Sequence, residues 1–364
     1  MPELRRLHAT FGVEPQPWTP PQPRELPALR EALAEQTRSP MQHRALVHAL
    51  SLGLGTMSPH TGDLDQDATI LLDGERRRLA EAVLYYVTAD MTRLAMAAAE
   101  TLPVHTFHAQ DVPTDSGFLL FAEPIGAYHP HDKPTHQLDV VTIVAASWGP
   151  INDVLPGPPG VWVTFYAITD YEAEARWLHQ QGMPLSHARQ RIRQIRAELG
   201  WDNEVTLRYG SADLAVLSTD ITQPVLRNER IDATGGWDQI KDTTLGWAHI
   251  VRATWLLMTQ PGVTDVDEQL SSRTLRRRAQ REGYNPAPVR VVSIHHRADT
   301  PIHSESSDGR TYRVRWTVRG HWRNQWYPSR QEHRPVWINP HIKGPDGAPL
   351  HTAETVHLLD APGP

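Results

Sequence analysis

The sequence predicts an α+β (or α/β) fold, with a mixed-sheet helical body followed by a basic helix and a small C-terminal antiparallel β module. Three observations support this. Residues 75–100 lack Pro and Gly and repeat apolar side chains every three or four positions. Residues 138–146 and 161–168 are β-branched, nearly all apolar runs typical of central strands. Residues 312–319 alternate strictly between apolar and polar side chains.

The body is predicted to span residues 24–265, after a Pro-rich arm at 1–23. Helices are expected at 26–37, 42–52, 75–100, 186–199 and 237–260. Strands are expected at 67–72, 117–122, 138–146, 161–168, 205–209 and 214–218, with a loop at 124–135. The chain has 364 residues, 39% of them hydrophobic, which is enough for a large core and, as a prior, two domains.

The charge is distributed unevenly along the chain. Residues 271–345 carry 15 Lys+Arg and 5 Asp+Glu, a net charge of +10, and the rest carries 21 and 37, a net charge of −16. A basic segment on an acidic body favours an anionic partner, although the two parts could instead dock on each other. We place the basic module at 266–345 and a polar C-terminal extension at 346–364.

The basic module is predicted to begin with a helix at 267–282 and to continue with strands at 289–296, 312–319 and 335–341. In the helix, Arg273, Arg277 and Arg281 are four apart and share one face. In the second strand, Arg313, Arg315 and Arg319 share the face opposite the apolar side chains. Like charges so close require a counter-charge, from the acidic body or from a bound phosphate chain.

These residues define a predicted nucleic-acid-binding set, because arginine neutralises phosphates and indole rings stack on unpaired bases. RNA or single strands fit better than duplex DNA, since stacking needs unpaired bases. The predicted set comprises Arg273, Arg277, Arg281, Arg313, Arg315, Arg319, Arg323, Trp322 and Trp326. Trp, Tyr and Arg are also enriched at protein–protein hot spots. A salt-bridged sheet packed on the body, with tryptophans in its core, is the third interpretation.

The same region contains residue types that could cleave RNA without a metal. His321 and His333 could serve as base and acid, and Tyr327 as a second proton donor. Arg319 and Arg323 could hold the phosphate. Proximity in sequence does not establish this geometry, so the sequence leaves open whether the chain is an enzyme.

The segment 318–345, VRGHWRNQWYPS…HRPVWINPHIKGP, resembles the tail of a family of actinobacterial prophage and plasmid proteins. More distantly, it is similar to the C-terminal domain of a plasmid- and phage-borne anti-CRISPR family that blocks synthesis of a type V CRISPR effector. The matching positions are Arg319, Gly320, His321, Trp322, Trp337, Ile338 and Pro340. Residues 324–326 read Asn-Gln-Trp where that family has more histidines. The resemblance implies a mobile-element protein acting near nascent chains or their messages, and no catalytic residue follows from it.

We expect no metal and no cofactor. Two histidine-containing groups, His129 to Asp139 and His105 to Asp111, are more simply surface loops in a chain with 20 histidines. The sequence has no phosphate-binding glycine loop and no cysteine, and no signal or membrane-spanning stretch, so we expect a cytoplasmic protein.

The leading hypothesis is an RNA-binding, mobile-element-encoded effector or regulator that engages RNA or a translation-associated target, with a metal-independent endoribonuclease as its catalytic form. The alternative is a non-enzymatic module of the anti-CRISPR or immunity type, which binds a protein or nascent peptide. Salt dependence separates the two, because phosphate binding releases counterions and apolar protein contacts do not.

Overall fold

In the computed structural model, the chain divides into two compact units, 1–295 and 296–364. The structure describes residues 18–51, 59–128, 141–153, 157–168, 171–180, 182–192, 199–211, 237, 243–295 and 316–343. The boundary falls between His295 and His296, whereas the sequence placed it near residue 266. The basic helix and the strand after it therefore belong to the first unit.

The first unit combines helices with one large mixed sheet. The helices are α1 (Leu26–Gln36), α2 (Pro40–Ser51), α3 (Leu64–Glu81), α4 (Ala89–Glu100), α5 (Tyr171–Gln180), α6 (Leu185–Ile192), α7 (Thr244–Thr259) and α8 (Arg273–Glu282). The strands are β1 (Val83–Val87), β2 (Gly117–Phe121), β3 (Gly126–Tyr128), β4 (Val141–Pro150), β5 (Gly160–Ile168), β6 (Leu199–Arg208), β7 (Thr264–Gln269) and β8 (Val289–Ile294).

The sheet has the order β6-β5-β4-β2-β1-β8-β7, with β3 paired to β4. Strand β1 is parallel to both of its neighbours, β2 and β8, and the other pairs are antiparallel. Helices on both faces around a mixed sheet confirm the predicted α+β class.

Each face of this sheet has its own core. Leucines of α1 and α3 join Leu84, Phe118 and Val289 in one core cluster. On the opposite face, α7 inserts two buried indoles: Trp255 packs edge-on against Trp148 at 5.2 Å between ring centroids, and Trp247 packs against Phe165 at 5.6 Å. Trp247 and Trp255 are therefore core residues.

The predicted helix at 75–100 is wrong in its middle. Helix α3 ends at Glu81, Ala82 is extended, and Val83–Val87 is strand β1 between two hydrogen-bonded neighbours. The valines that fitted a helical period also fit a strand buried on both faces, and pairing on both sides decided between them. The predicted strand at 67–72 is likewise wrong, because α3 begins at Leu64, where the carboxylate of Asp63 accepts from the backbone of Asp65 and caps the helix.

Other predictions hold in part. Strands β2, β4, β5 and β8 and helix α7 lie where expected, and β3 occupies part of the predicted loop. Strand β6 begins at Leu199, earlier than predicted, while the predicted strand at 214–218 lies outside the described residues. The basic helix begins at Arg273 rather than 267, because Thr264–Gln269 forms strand β7. In the predicted arm, the Trp18 indole donates to the Phe121 carbonyl at 3.2 Å.

The second unit contains β9 (Trp316–Val318), β10 (His321–Tyr327), β11 (Glu332–Ile338) and β12 (His341–Lys343). Strands β10 and β11 form an antiparallel hairpin, and β9 pairs antiparallel with β12. The predicted strands at 312–319 and 335–341 left residues 320–334 outside any strand, which was wrong because most of this segment forms β10 and β11. Its polar side chains gave no alternation between apolar and polar positions that would predict a strand, because both faces of the hairpin are exposed toward the turn.

Candidate nucleic-acid interface

The β10–β11 hairpin has two different faces. Its register is unbroken from His321 opposite Ile338 to Tyr327 opposite Glu332. Because side chains alternate along a strand, each position and its partner fall on one of two faces. We call the aromatic face the one that holds Trp322, Asn324, Trp326, His333, Pro335 and Trp337. We call the basic face the one that holds His321, Arg323, Gln325, Tyr327, Glu332, Arg334, Val336 and Ile338.

The aromatic face is closed at one end and open at the other. Trp322 and Trp337 meet edge-on at 5.2 Å between centroids, and Trp337 is only 6% exposed. A Cβ on Gly320 would lie 2.5 Å from the Trp337 ring, so only glycine fits there without displacing the indole. At the turn end, Trp326 lies 4.8 Å from the ring of His333 and is 44% exposed. An indole held in place on one side and open on the other can accept a stacked base.

Two arginines near the start of the hairpin have no carboxylate partner within the described residues. Arg319 and Arg323 are exposed, and in the described part of the chain neither forms an ion pair. Arg334 lies diagonally across the hairpin from Arg323. Residues 316–343 hold five basic residues and one acidic residue, a net charge of +4. The salt-bridged interpretation required carboxylate partners from this chain, which the described structure does not place beside Arg319 and Arg323.

Two of the predicted arginines, Arg313 and Arg315, lie outside the described residues. Of the predicted arginine row, Arg319 is the described member, and it is exposed just after the end of β9. Arg319 and Arg323 flank the start of β10, where the imidazole Nδ1 of His321 lies 3.0 Å from the Arg319 carbonyl.

The predicted acid–base pair is not assembled. His321 faces Ile338 on the basic face, whereas His333 faces Trp326 on the aromatic face. Five strand positions separate the two rows, about 16 Å at about 3.3 Å per residue. Tyr327 shares the basic face with His321 but lies six positions away, about 20 Å. One phosphate cannot contact both His321 and either of the other two side chains, so His321, His333 and Tyr327 do not form a catalytic group.

A second basic surface lies in the first unit, on helix α8. Leu275 and Ala279 are buried against the unit, and Arg273, Arg277 and Arg281 project from the opposite side, all exposed. The predicted shared face is confirmed, with a rise of about 6 Å between successive arginines. None of these three forms an ion pair within the described residues, whereas Arg278, further around the helix, binds Glu31 at 3.4 Å and Glu282 at 3.0 Å.

The first unit also contains two buried charged clusters that the sequence did not indicate. Glu75 and Arg78 form an ion pair in which both side chains are at most 2% exposed. The second cluster joins Arg252 to His105, with 3.1 Å between Nη2 and Nε2. Because the His105 Nδ1 lies 2.9 Å from the Pro103 carbonyl and donates to it, its Nε2 can accept from the guanidinium. Both clusters are buried from solvent.

The second cluster perturbs two pKa values. Burial lowers the pKa of Arg252 to about 10, although the nearby Asp111 carboxylate opposes this. Burial, and then the positive Arg252, lower the pKa of His249 to about 4. The His249 Nδ1 is buried without a hydrogen-bond partner in the described structure. His249 is therefore neutral in the folded protein at pH 7.

The described residues contain no group of three or more His, Asp or Glu side chains that could hold a metal ion. The candidate group at His129 to Asp139 lies outside them. In the group at His105 to Asp111, His105 contacts a guanidinium, which disfavours a second cation beside it. No helix in the described portion is long and apolar enough to cross a bilayer.

No family model matches the chain, and a search of curated proteins finds no significant relative.

Proposed function

We propose that this chain binds RNA, or another flexible polyanion, through the basic face of its hairpin, the adjoining Arg319 and the open end of its aromatic face. The observation that carries the proposal is the exposure of Arg319 and Arg323, without carboxylate partners in the described part, in the same hairpin unit as the exposed indole of Trp326. Guanidinium groups supply phosphate affinity, and an exposed indole supplies base stacking. A single strand fits better than a duplex because its bases are free to stack.

The arginine stripe on α8 supports the same chemistry in the first unit. Three cations about 6 Å apart on one helix face match the repeating charge of a nucleic-acid strand better than a single anion. We assign Arg273, Arg277 and Arg281 as a separate polyanion-contacting surface of the first unit. Each surface is tested on its own, by substitutions within the full chain.

The proposed activity is binding without cleavage by the hairpin histidines, because His321 and His333 lie on opposite faces. The cellular setting that accompanies the proposal is a cytoplasmic effector or regulator encoded by a mobile element and acting on RNA or the translation apparatus. This setting is proposed from the resemblance of residues 318–345 to prophage, plasmid and anti-CRISPR proteins.

The test is the salt dependence of binding to a labelled single-stranded oligoribonucleotide, followed by fluorescence anisotropy. For single strands, each phosphate that the protein neutralises contributes about 0.7 to the slope of log K against log salt. Arg319→Gln with Arg323→Gln should reduce the slope by about 1.4 if each arginine neutralises one phosphate. Arg38→Gln is the matched control, since it removes an exposed arginine that is paired with Glu35. An unchanged slope in the double variant contradicts the proposal.

A protein or peptide target is the second candidate, favoured by the pair Trp326 and Tyr327, which are 44% and 37% exposed at the hairpin tip. Exposed aromatic residues beside Arg330 have the composition of an interface hot spot. This candidate would be selected over RNA if the affinity for the target did not depend on salt concentration, was lost in Trp326→Ala, and was unchanged in the variant that combines Arg319→Gln with Arg323→Gln.

A further inference from the structure

Strand β7 ends the large sheet and has an open edge. It is the terminal strand of the sheet order, paired with β8 on one side, and no described strand pairs with its other side. Residues 265–270 are all exposed, including Val266 at 44% and Leu270 at 66%. An exposed strand edge presents unpaired N–H and C=O groups to any chain that can extend alongside it.

The register identifies which backbone groups face outward. His295 N–H donates to the Val263 carbonyl, so this pair is hydrogen-bonded across the strands. In an antiparallel ladder such pairs alternate, so residues 265, 267 and 269 bond to β8, while residues 264, 266 and 268 direct their N–H and C=O groups away from it. The Val292 carbonyl, opposite Val266, accepts from Thr88 N–H on the β1 side, as this alternation requires.

The open edge is acidic. Asp265, Asp267 and Glu268 are exposed; Glu268 lies 3.6 Å from Arg290, and Asp265 lies 2.8 Å from the His295 ring. A second copy could not pair antiparallel through the outward groups of residues 264, 266 and 268 without repulsion, because Asp265 would then face Asp267 of the other strand. The edge lacks the prolines, bulges and lysines that close many strand edges, and the β7–β8 register is continuous. Its charges repel another copy and attract a cationic strand.

We propose that β7 is a docking edge for an extended, basic segment of a partner protein, which adds a strand to the sheet. Main-chain hydrogen bonds to residues 264, 266 and 268 would supply affinity. Arginine or lysine side chains opposite Asp265 and Asp267 would supply specificity on one face, and apolar side chains on the other face would cover Val266 and Leu270. This inference stands independently of the proposed polyanion binding, because the charge it recognises is opposite in sign.

The probe is a fluorescent peptide in which arginine alternates with valine or threonine over a length equal to β7. Two control peptides accompany it, one with glutamate in place of arginine and one N-methylated on the amides of the pairing edge. We expect binding of the first peptide and a loss of at least about tenfold for both controls. Equal binding of the N-methylated peptide would show simple charge attraction and overturn the proposal.

Two variants of the full chain test the edge itself. Val266→Pro removes an outward N–H that the sheet does not use, a position where edge strands tolerate proline. It should weaken the peptide about five- to tenfold while the melting temperature stays close to that of the parent. Asp267→Asn with Glu268→Gln removes charge without touching the backbone and should weaken binding at low salt. Parent-like affinity in the charge variant overturns the proposal even if the proline variant does not fold.

An alternative outcome of the test is that the chain's own arginine-alternating segment, residues 312–319, competes with the peptide for this edge. If Arg313→Gln with Arg315→Gln strengthened peptide binding, that segment would be the competing occupant, and the partner-protein proposal would fail. RNA binding measured on the Val266→Pro variant should be unchanged, which separates this proposal from the polyanion one. If Val266→Pro lost both peptide binding and RNA binding, the variant would be misfolded. The proposal would then be tested by the peptide affinity of the variant that combines Asp267→Asn with Glu268→Gln.

Discussion

Replacing Arg78 with methionine should destabilise the first unit strongly, because Arg78 is the counter-ion of a carboxylate buried under α3. Arg78 is 2% and Glu75 1% exposed, and the Arg78 Nε donates to the Glu75 carboxylate at 3.1 Å. The carboxylate also accepts from the hydroxyls of Ser147 at 2.7 Å, Thr164 at 2.8 Å and Tyr166. The variant keeps most of the side-chain stem but leaves Glu75 with hydroxyl donors and no positive charge.

The magnitude follows from the desolvation of the remaining charge. Removing one partner of a buried ion pair costs about 3–5 kcal/mol. Replacing both partners is often neutral, since the isolated charge disappears with its partner. Here the guanidinium is itself imperfectly satisfied: Arg78 Nη1 has no hydrogen-bond partner in the described structure, and the group lies 5.3 Å over the Trp162 ring. We therefore expect Glu75→Leu with Arg78→Met to recover most of the loss.

The assay is a double-mutant cycle on the free energy of unfolding, measured by urea denaturation at pH 7. A coupling energy of at least about 2 kcal/mol between the two positions is expected, since contacting residues are not additive. Ser51→Ala, at an exposed position at the end of α2, serves as the control substitution. Additive losses, or a single Arg78→Met variant that loses under about 1 kcal/mol, would refute the reasoning.

The same cluster predicts how the free energy of unfolding changes with pH. Burial alone would raise the pKa of Glu75, but the adjacent Arg78 charge and the hydroxyls of Tyr166 and Ser147 outweigh it, so this pKa is lowered. Because the pKa of Glu75 is lower in the folded than in the unfolded chain, its ionised form stabilises the fold above the ordinary glutamate pKa of about 4.3. This stabilisation is lost as the pH falls through the pKa of the folded state. Acid titration of the parent should show this loss, and the double variant should not.

Three further predictions concern other sites. The pKa of His249 is lowered to about 4 by burial and by the adjacent Arg252 in the folded protein, so on acidification His249 of the unfolded chain is protonated at a higher pH than His249 of the folded chain. The free energy of unfolding should therefore fall from pH 6.5 toward pH 4, and His249→Gln should flatten this part of its pH profile. Gly320→Ala places a Cβ 2.5 Å from Trp337 and should destabilise the hairpin by about 1–3 kcal/mol, seen as faster amide exchange in β10 and β11 only. Trp326→Ala should weaken single-stranded RNA binding by about 1–3 kcal/mol without changing the salt slope, and a changed slope would contradict its role in stacking.

The sequence indicated the fold class and several elements because their signals are local. The apolar runs of β4 and β5 and the indole-bearing helix α7 needed no partner to be recognised. The arginine stripe on α8 was also readable, because a spacing of four fixes one helix face. These predictions depend only on the spacing of residue types along the sequence, which can be seen without knowing the tertiary contacts.

Other features depended on contacts that no local pattern contains. Val83–Val87 satisfied a helical period, and only pairing with β2 and β8 made it a strand. The hairpin register separated His321 from His333, although the two are twelve residues apart and chemically suited to act together. The ion pair of Glu75 and Arg78 needed hydroxyls from two distant strands to be tolerated.

The amino-acid sequence by itself determined where charge accumulates, which helix face carries arginine, and that the late strands combine arginine with tryptophan. Only the tertiary structure decided that Arg319 and Arg323 are exposed, that Trp326 is open while Trp337 is closed, and that β7 ends the sheet. The physical reason is that periodicity fixes the direction of a side chain relative to its own backbone, whereas exposure and pairing depend on what the rest of the chain places opposite.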